Sequence, residues 1–198
     1  DALHISPKEF VKGNIQLPAY RTFYLDKMLE KNQEIVAKRD SRFKQIIRNM
    51  KTVSESDFDV PETLSKTMRS YQQFGHKWLR TVGNCGFGGI LADDMGLGKT
   101  LQMISVSLAE KQEGNTDTAL IVCPASLVFN WAAELDKFAP ELKYLIIVGT
   151  HKERPKLIKQ YQDYDVVITS YDLIKRDITH YEDCSFGYQV LDEAQYIK

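Results

Sequence analysis

The sequence predicts an α/β fold, in which a parallel β-sheet is flanked by helices and preceded by a mainly helical N-terminal segment. Between residues 119 and 191, four apolar runs alternate with helical patterns. These runs are almost continuously apolar, which is typical of strands buried on both faces of a parallel sheet. A glycine loop at residues 93–98 separates a further short apolar run from a helical pattern. Strand, loop and helix in this order are typical of α/β folds.

Composition is that of an ordinary globular protein. The 198 residues are 43% apolar and 27% charged, enough for one domain with a sizeable core and an appendage. The sequence has no apolar run long enough to span a membrane, and its first twelve residues lack the apolar core of a signal peptide. The cysteines Cys85, Cys123 and Cys184 lack metal-site spacing. We expect idle thiols in a reducing, cytoplasmic environment.

The N-terminal segment is predicted to be extended and then helical. Residues 1–20 are interrupted by two prolines and a glycine, whereas residues 21–51 contain neither residue type. An apolar residue recurs every seven positions at Leu29, Val36, Phe43 and Met50. This spacing predicts a long amphipathic helix with a possible interruption near Asp40.

Residues 21–51 are also basic, with nine Lys and Arg against four acids, although the whole chain has a net charge of −1. A solvated helix face is the favoured interpretation, and contact with DNA phosphates is the alternative. The polar residues 52–66 predict a linker. We therefore divide the chain into residues 1–60, an extended and helical segment, and residues 61–198, an α/β domain.

The remaining elements follow from apolar periodicity and from the positions of glycine and proline. An amphipathic helix is predicted over 68–79, a short buried strand over 90–92, and a helix from Lys99 to about Gly114. The further predicted strands cover 119–123, 144–148, 165–169 and 188–191, and the further helices cover 126–138, 152–162 and 170–176.

The glycine loop carries the strongest chemical signal. It fits the phosphate-loop pattern G-x-x-x-x-G-K-[ST] except that Asp93 occupies the first glycine position. Glycines let backbone N–H groups approach phosphates, and the helix N-terminus adds a positive dipole end. Lys99 would reach the β- and γ-phosphates, and the Thr100 hydroxyl would hold magnesium. A chance Gly-Lys-Thr on a surface turn is the disfavoured alternative, because the predicted strand and helix flank the loop.

A second signal follows the last predicted strand. Asp192 could bind magnesium there, and Glu193 could position the attacking water. Ligands of parallel sheets bind beyond the carboxyl ends of the strands, where the loop and Asp192 are both expected. Gln72 lies beside the apolar face of the 68–79 helix, and its amide can both donate to and accept from an adenine edge.

Five segments together resemble the motifs of Swi/Snf-type DNA-translocating ATPases, a branch of the superfamily-two helicases. They are residues 69–72 (RSYQ), 93–102 (DDMGLGKTLQ), 123–131 (CPASLVFNW), 168–172 (ITSYD) and 192–198 (DEAQYIK). That family itself has Asp in place of the first glycine. It usually has Glu where this chain has Asp94, and Gln195 in place of the commoner His indicates a bacterial member.

The resemblance implies the first RecA-like lobe of a two-lobed motor, which hydrolyses ATP with Mg²⁺ to move along or remodel duplex DNA complexes. It covers residues 66–198 and leads us to expect that the lobe is incomplete at its C-terminus. The implied partners are duplex DNA, contacted through its backbone, and a second RecA-like lobe of the same protein. The implied location is the bacterial cytoplasm at the nucleoid, or the nucleus if the protein is eukaryotic.

The resemblance also assigns residues. The catalytic residues would be Lys99, Asp192 and Glu193, and the magnesium ligands Thr100 and Asp192. Nucleotide contacts would come from Arg69, Gln72, Asp93, Asp94, Met95, Gly96, Leu97, Gly98, Lys99, Thr100 and Gln195. Contacts to DNA would come from Ser126, Asn130, Thr169 and Ser170. For Ser126 and Asn130 a role at the start of a helix is the alternative, and for Trp131 we favour a core position over a DNA contact.

Two other functional classes stay open at this point. One is a helicase or restriction-type motor built on the same lobe. The other is a non-catalytic, nucleotide-dependent interaction module. The presence of Lys99, Thr100, Asp192 and Glu193 disfavours a lobe that has lost catalysis.

Overall fold

The computed structural model of the protein describes residues 17–32 and 37–197. Backbone contacts divide the chain into two units. The first contains the described residues up to Asp57 together with Thr81–Gly89, and the second contains Phe58–Arg80 together with the residues from Ile90 onward. No helix within the described ranges is both long and apolar enough to cross a membrane.

The first unit contains two helices, α1 (Thr22–Lys31) and α2 (Ser41–Lys51). The Asp40 carboxylate caps α2 by accepting a 2.7 Å hydrogen bond from the backbone N–H of Phe43, so the helical pattern is interrupted near Asp40 as expected. Val36 of the predicted apolar stripe and the leading residues 1–16 lie outside the described residues. Asp26, only 4% exposed, pairs with Arg39 at 3.0 Å and with Lys51 at 3.5 Å.

The second unit begins with two helices that precede the sheet, α3 (Glu62–Ser65) and α4 (Ser70–Asn84), the latter extending into the first unit. The elements that follow alternate between helix and strand: α5 (Lys99–Gln112), β1 (Ala119–Cys123), α6 (Val128–Phe138), β2 (Tyr144–Ile146), α7 (Arg154–Ile158), β3 (Val166–Ser170), α8 (Tyr171–Arg176), α9 (Ile178–Tyr181) and β4 (Tyr188–Leu191).

The four strands form one parallel sheet in the order β2-β3-β1-β4. Every residue of β1 and β3 is buried, which explains their continuous apolar sequences. Cys123 pairs with Ser170, and Val122 pairs with Leu191. The carboxyl ends of these three strands therefore lie at one edge of the sheet, with Asp192 directly beyond β4. The predicted α/β class is confirmed.

Two apolar clusters cover the two faces of the sheet. On one face, Ile104 and Leu108 of α5 and Trp131 and Leu135 of α6 share a cluster with Ile121 of β1. The other face has its own cluster, formed by Leu120, Val122, Leu145, Ile147, Ile158, Tyr161, Val167 and Tyr181. This double coverage fixes the start of α5 and the end of β4 relative to the core of the unit.

One predicted element is wrong. Residues 90–92 form no strand, and Ile90 is 88% exposed. The three-residue apolar run follows two glycines and pairs with none of the four described strands. Without a neighbouring strand, so short a segment gains neither ladder hydrogen bonds nor burial. Helix α9 was not predicted, because residues 178–181 carry no long periodic pattern.

Candidate active site

The glycine loop runs directly into the N-terminus of α5. Gly96 has a φ of 82° and Gly98 a φ of 75°, both in the left-handed region. Gly98 occupies the N-cap position of α5, and no side chain accepts a hydrogen bond from the N–H groups at this helix end. A Cβ at Gly98 would lie 2.4 Å from Gln72 Nε2, so the position excludes larger residues for reasons of both conformation and space. The first backbone N–H groups of α5 are thus available to an anion.

Lys99 folds over this loop. Its ammonium donates to the backbone carbonyl oxygens of Asp93 at 2.8 Å and Asp94 at 3.2 Å. An ammonium has three donors, so one more remains for a phosphate oxygen. Thr100, the next residue, is half-buried in the first turn of α5. Met95, by contrast, is 89% exposed, and its contact with the nucleotide stays a prediction.

Helix α4 holds the loop from the other side. The Gln72 amide donates to the carbonyl of Leu97 at 2.9 Å and accepts from the backbone N–H of Arg69 at 2.9 Å, and the Tyr71 hydroxyl also donates to Leu97. Gln72 is 7% exposed. Its NH₂ group and its carbonyl oxygen each keep one further hydrogen-bonding position. The structure thus gives Gln72 a loop-positioning contact, and its contact with adenine stays a prediction.

Asp93, at the first glycine position of the pattern, is held by Gln102 of α5. Gln102 is fully buried, and its Nε2 donates to Asp93 Oδ2 at 3.0 Å. A Cβ at Gly75 would lie 1.8 Å from Gln102 Oε1, so the close approach of α4 and α5 depends on that glycine. The carboxylate at position 93 therefore has a defined partner within the unit. Gln102 lies four and seven residues before Val106 and Ala109, and this spacing, which places it on an apolar helical face, is the signal that could have identified it in the sequence.

The second group of candidate residues lies beyond the carboxyl end of β4. The backbone N–H of Asp192 donates to the carbonyl of Val122 at 2.9 Å, and the Tyr171 hydroxyl donates to the carbonyl of Asp192 at 2.8 Å. Trp131 Nε1 donates to Asp192 Oδ2 at 2.9 Å. Three elements, β1, α6 and α8, thus fix Asp192. Trp131 is 2% exposed, in agreement with the core position that the sequence favoured.

The backbone at Glu193 is strained. Its φ of 52° and ψ of 50° make it the one non-glycine residue of the described ranges with a positive φ. Such a conformation costs on the order of 1 kcal/mol and is often found at functional sites. The side chain of Gln195 hydrogen-bonds Glu193 Oε2. Glu193 and Gln195 are therefore brought together.

Two side chains beside Asp192 have raised pKa values. Burial, with a smaller effect from the charge of Asp192, raises the pKa of the Cys123 thiol to about 12. Burial and the same carboxylate also raise the pKa of Tyr171 above its usual value. Both side chains therefore stay protonated at neutral pH, and the Tyr171 hydroxyl keeps the proton that it donates to Asp192.

The four residues assigned to DNA separate into two pairs. Ser126 and Asn130 are exposed near the start of α6, where Asn130 Nδ2 donates to Glu134 at 3.1 Å. Thr169 is fully buried and its hydroxyl donates to the Ile147 carbonyl, while Ser170, 2% exposed, caps α8 by accepting from Leu173. The DNA contacts of Thr169 and Ser170 stay predictions. In this structure the Thr169 hydroxyl bonds within the core and the Ser170 hydroxyl caps a helix.

The residues present fit a nucleotide and its magnesium ion. An uncapped helix end, two left-handed glycines and an adjacent lysine suit an anionic phosphate chain. The oxygen donors of Thr100 and Asp192 are of the kind that Mg²⁺ prefers, since this ion takes one or two protein oxygens together with substrate phosphates. The structure shows the loop and Asp192 in one unit.

Comparisons with known proteins agree with this geometry. Residues 71–198 match the SNF2-related domain, and residues 1–61 match the bacterial SNF2 helicase associated family. The sequence motifs gave no assignment for this N-terminal segment. The chain is 34% identical to an uncharacterized ATP-dependent helicase of Mycoplasma genitalium over 94% of its length, and 36% identical to the TATA-binding protein-associated factor MOT1 of Saccharomyces cerevisiae over 84%. It spans 18% and 10% of those relatives.

A solved structure is similar as well. The Sulfolobus solfataricus SWI2/SNF2 ATPase core in complex with dsDNA shares 43% identity with this chain and superposes with a TM-score of 0.59. The match covers 65% of this chain and 26% of that one, which identifies the α/β unit as a RecA-like lobe. The family match over residues 71–198, supported by the loop and the Asp192 region, shows that the chain belongs to the bacterial SNF2 (Swi/Snf) family.

Proposed function

We propose that this chain is the ATP-binding lobe of a DNA-dependent ATPase that hydrolyses the β–γ bond of ATP and moves along or remodels duplex DNA complexes. The observation that carries the proposal is the geometry of the loop, in which two left-handed glycines lead into an uncapped helix with Lys99 at its first position. The family match and the ATPase named in the solved relative support the same nucleotide.

Each candidate residue then has a task. The backbone of Gly96–Thr100 surrounds the phosphates, and Lys99 places its charge beside the β- and γ-phosphates. Thr100 and Asp192 supply oxygen ligands, and Glu193 orients the attacking water with its carboxylate. Bound magnesium would neutralise charge on the phosphate oxygens. Gln72 and Arg69, next to the loop, recognise the base, and the remaining loop residues with Gln195 complete the site.

Duplex DNA is the proposed partner. The solved relative is described in complex with dsDNA, and in this chain Ser126 and Asn130 are exposed near the start of α6. A hydroxyl and an amide at such a position can contact phosphate oxygens without reading the base sequence. A second RecA-like lobe would complete the motor. We also propose residues 1–60 as a separate N-terminal domain, which its own family match supports, and a cytoplasmic location.

The proposal is tested by Lys99→Ala. This change removes the mobile cation aimed at the phosphates, so we expect a roughly tenfold or greater loss of ATP affinity in titration calorimetry. Lys66→Ala, at an exposed lysine of the same unit, is the matched control and should bind ATP like the unchanged chain. Equal affinity in the Lys99→Ala variant would show that the loop is not the phosphate site.

A further inference from the structure

Trp131 occupies an unusual place for a core aromatic residue. Its ring packs in the cluster between α5, α6 and the sheet, yet its one polar atom, Nε1, lies 2.9 Å from Asp192 Oδ2. A buried indole N–H needs an acceptor, and here the acceptor is the carboxylate proposed to face magnesium. The contact joins residues 61 positions apart in the chain, so it links helix α6 directly to the end of β4.

The backbone of Asp192 is already fixed from two directions. Its N–H donates to Val122, and its carbonyl accepts the Tyr171 hydroxyl at 2.8 Å. The orientation of its carboxylate is therefore the main freedom that the residue retains. A hydrogen bond from Trp131 to Oδ2 restricts this freedom and leaves Oδ1 without that contact. Partners that orient a metal-binding carboxylate in this way tune metal affinity.

We propose that Trp131 is a positioning residue for the magnesium-binding carboxylate of Asp192, an inference that rests on the proposed function. Because Trp131 belongs to α6, it also ties the carboxylate to the surface at the start of that helix. Phe129, 65% exposed, and the exposed Asn130 are the two residues that precede it in the sequence.

The first test is Trp131→Phe, which keeps an aromatic ring in the core and removes the N–H donor. The readout is the Mg²⁺ concentration at half-saturation for ADP binding, measured by calorimetry with the whole 198-residue chain. We expect this concentration to rise about tenfold, while ADP binding in EDTA stays unchanged. The matched control is Trp78→Phe, the other tryptophan of the chain, which should leave the Mg²⁺ dependence unchanged.

The outcomes separate the two proposals. Lower thermal stability of Trp131→Phe with an unaltered Mg²⁺ dependence overturns the positioning role and leaves only packing. If the unchanged chain binds no ADP, either with or without Mg²⁺, the proposed function is overturned instead. Tyr171→Phe should produce a smaller change in Mg²⁺ dependence, because it frees the backbone carbonyl and not the carboxylate.

A second measurement keeps Trp131 in place and so does not depend on how the variant folds. In the Trp78→Phe chain, Trp131 is the single tryptophan, and its fluorescence reports the charge beside its indole. Addition of Mg²⁺ with ADP should change the emission, and EDTA should reverse the change. Constant emission through a titration in which calorimetry detects Mg²⁺-dependent ADP binding would refute the contact between indole and metal-binding carboxylate.

Discussion

A buried histidine lies behind the glycine loop and responds to pH. His76 has no exposed surface, and its Nδ1 lies 2.8 Å from Ser105 Oγ. Ser105 Oγ in turn donates to the Gln102 carbonyl at 2.7 Å, so a chain of hydrogen bonds joins α4 to α5. Burial, and next the charge of Arg80, lowers the pKa of His76 to about 4. The residue is therefore neutral in the folded protein at pH 7.

This shift predicts loss of stability in mild acid. In the unfolded chain His76 titrates near its ordinary pKa of 6.5, so the unfolded state binds the extra proton first. The free energy of unfolding should then fall as pH decreases from about 6.5 to about 4, by up to roughly 3 kcal/mol. Urea denaturation of the unchanged chain and of His76→Asn checks it. The His76→Asn variant should be less stable at neutral pH, and its free energy of unfolding should fall less as the pH decreases. If the free energy of unfolding of both proteins falls equally with pH, His76 is not the cause.

The two acids after β4 should have separable roles. In a longer form of the protein that hydrolyses ATP, Glu193→Gln should keep ATP binding and abolish turnover, because an amide cannot orient the attacking water as a carboxylate does. Asp192→Asn should weaken the Mg²⁺ dependence and nucleotide affinity together. Steady-state phosphate release and a Mg²⁺ titration measure the two effects. Sustained turnover in the Glu193→Gln protein would remove this residue from the mechanism.

Among the elements, a buried ion pair joins the start of α7 to Asp177, the residue between α8 and α9. Arg154 Nε and Nη2 donate to the two carboxylate oxygens of Asp177 at 2.5 and 2.8 Å, and Nη1 donates to the Gly149 carbonyl at 2.7 Å. Both side chains are less than 8% exposed. Such short helices gain little stability from their own hydrogen bonds, so this contact does much to order residues 149–181.

Asp177→Asn should consequently destabilise the fold by roughly 3 kcal/mol, because it leaves the Arg154 charge buried without its counter-ion. Thermal or urea denaturation measures the loss. The exposed Asp163→Asn is the matched control, and we expect a change within about 0.5 kcal/mol. The double variant Arg154→Met with Asp177→Leu should recover part of the stability. If Asp177→Asn is as stable as Asp163→Asn, the ion pair contributes nothing to the stability of the fold.

The helices and strands also show how much of the structure the sequence patterns could predict. The apolar runs predicted β1 and β4 at their observed bounds. For β1 the reason is that a strand buried on both faces leaves a continuous apolar signal. Strand β4 is only partly buried, and its ends are marked by Gly187 before it and Asp192 after it. The apolar runs failed at residues 90–92, because an apolar run does not reveal whether a neighbouring strand exists. Motif resemblance named Thr169 and Ser170 without revealing that the Thr169 hydroxyl bonds within the core and that the Ser170 hydroxyl caps α8. The link from Trp131 to Asp192 has no local pattern at all, since it exists only after the sheet has formed.

Paired charges also limit what the basic N-terminal segment offers. Arg39 and Lys51, two of its nine cations, are engaged by Asp26 in the first unit. Lys38, Arg42 and Lys44 are exposed. A solvated face stays the favoured interpretation of these side chains, and contact with DNA stays the alternative.

For the whole molecule, we expect the 198-residue chain to bind nucleotide weakly and to show almost no DNA-stimulated hydrolysis. In the family it resembles, arginines from a second lobe complete the site, and such an arginine is worth roughly 10³ to 10⁵ in rate. The chain spans 18% of its Mycoplasma genitalium relative. Phosphate release with and without duplex DNA, compared with a longer chain that includes a second lobe, measures the difference. Comparable rates for both would favour a self-sufficient nucleotidase.

The contact between Gly75 and Gln102 affects which mutations the molecule can tolerate. Gly75 lies in the middle of α4, far in sequence from the loop, at a position where alanine usually stabilises a helix. Here an added methyl group would displace the buried Gln102 and with it the hydrogen bond to Asp93. In a survey of substitutions selected for activity, position 75 should therefore be as restricted as the glycines of the loop itself, whereas the exposed Phe74 beside it accepts a wider range of residues.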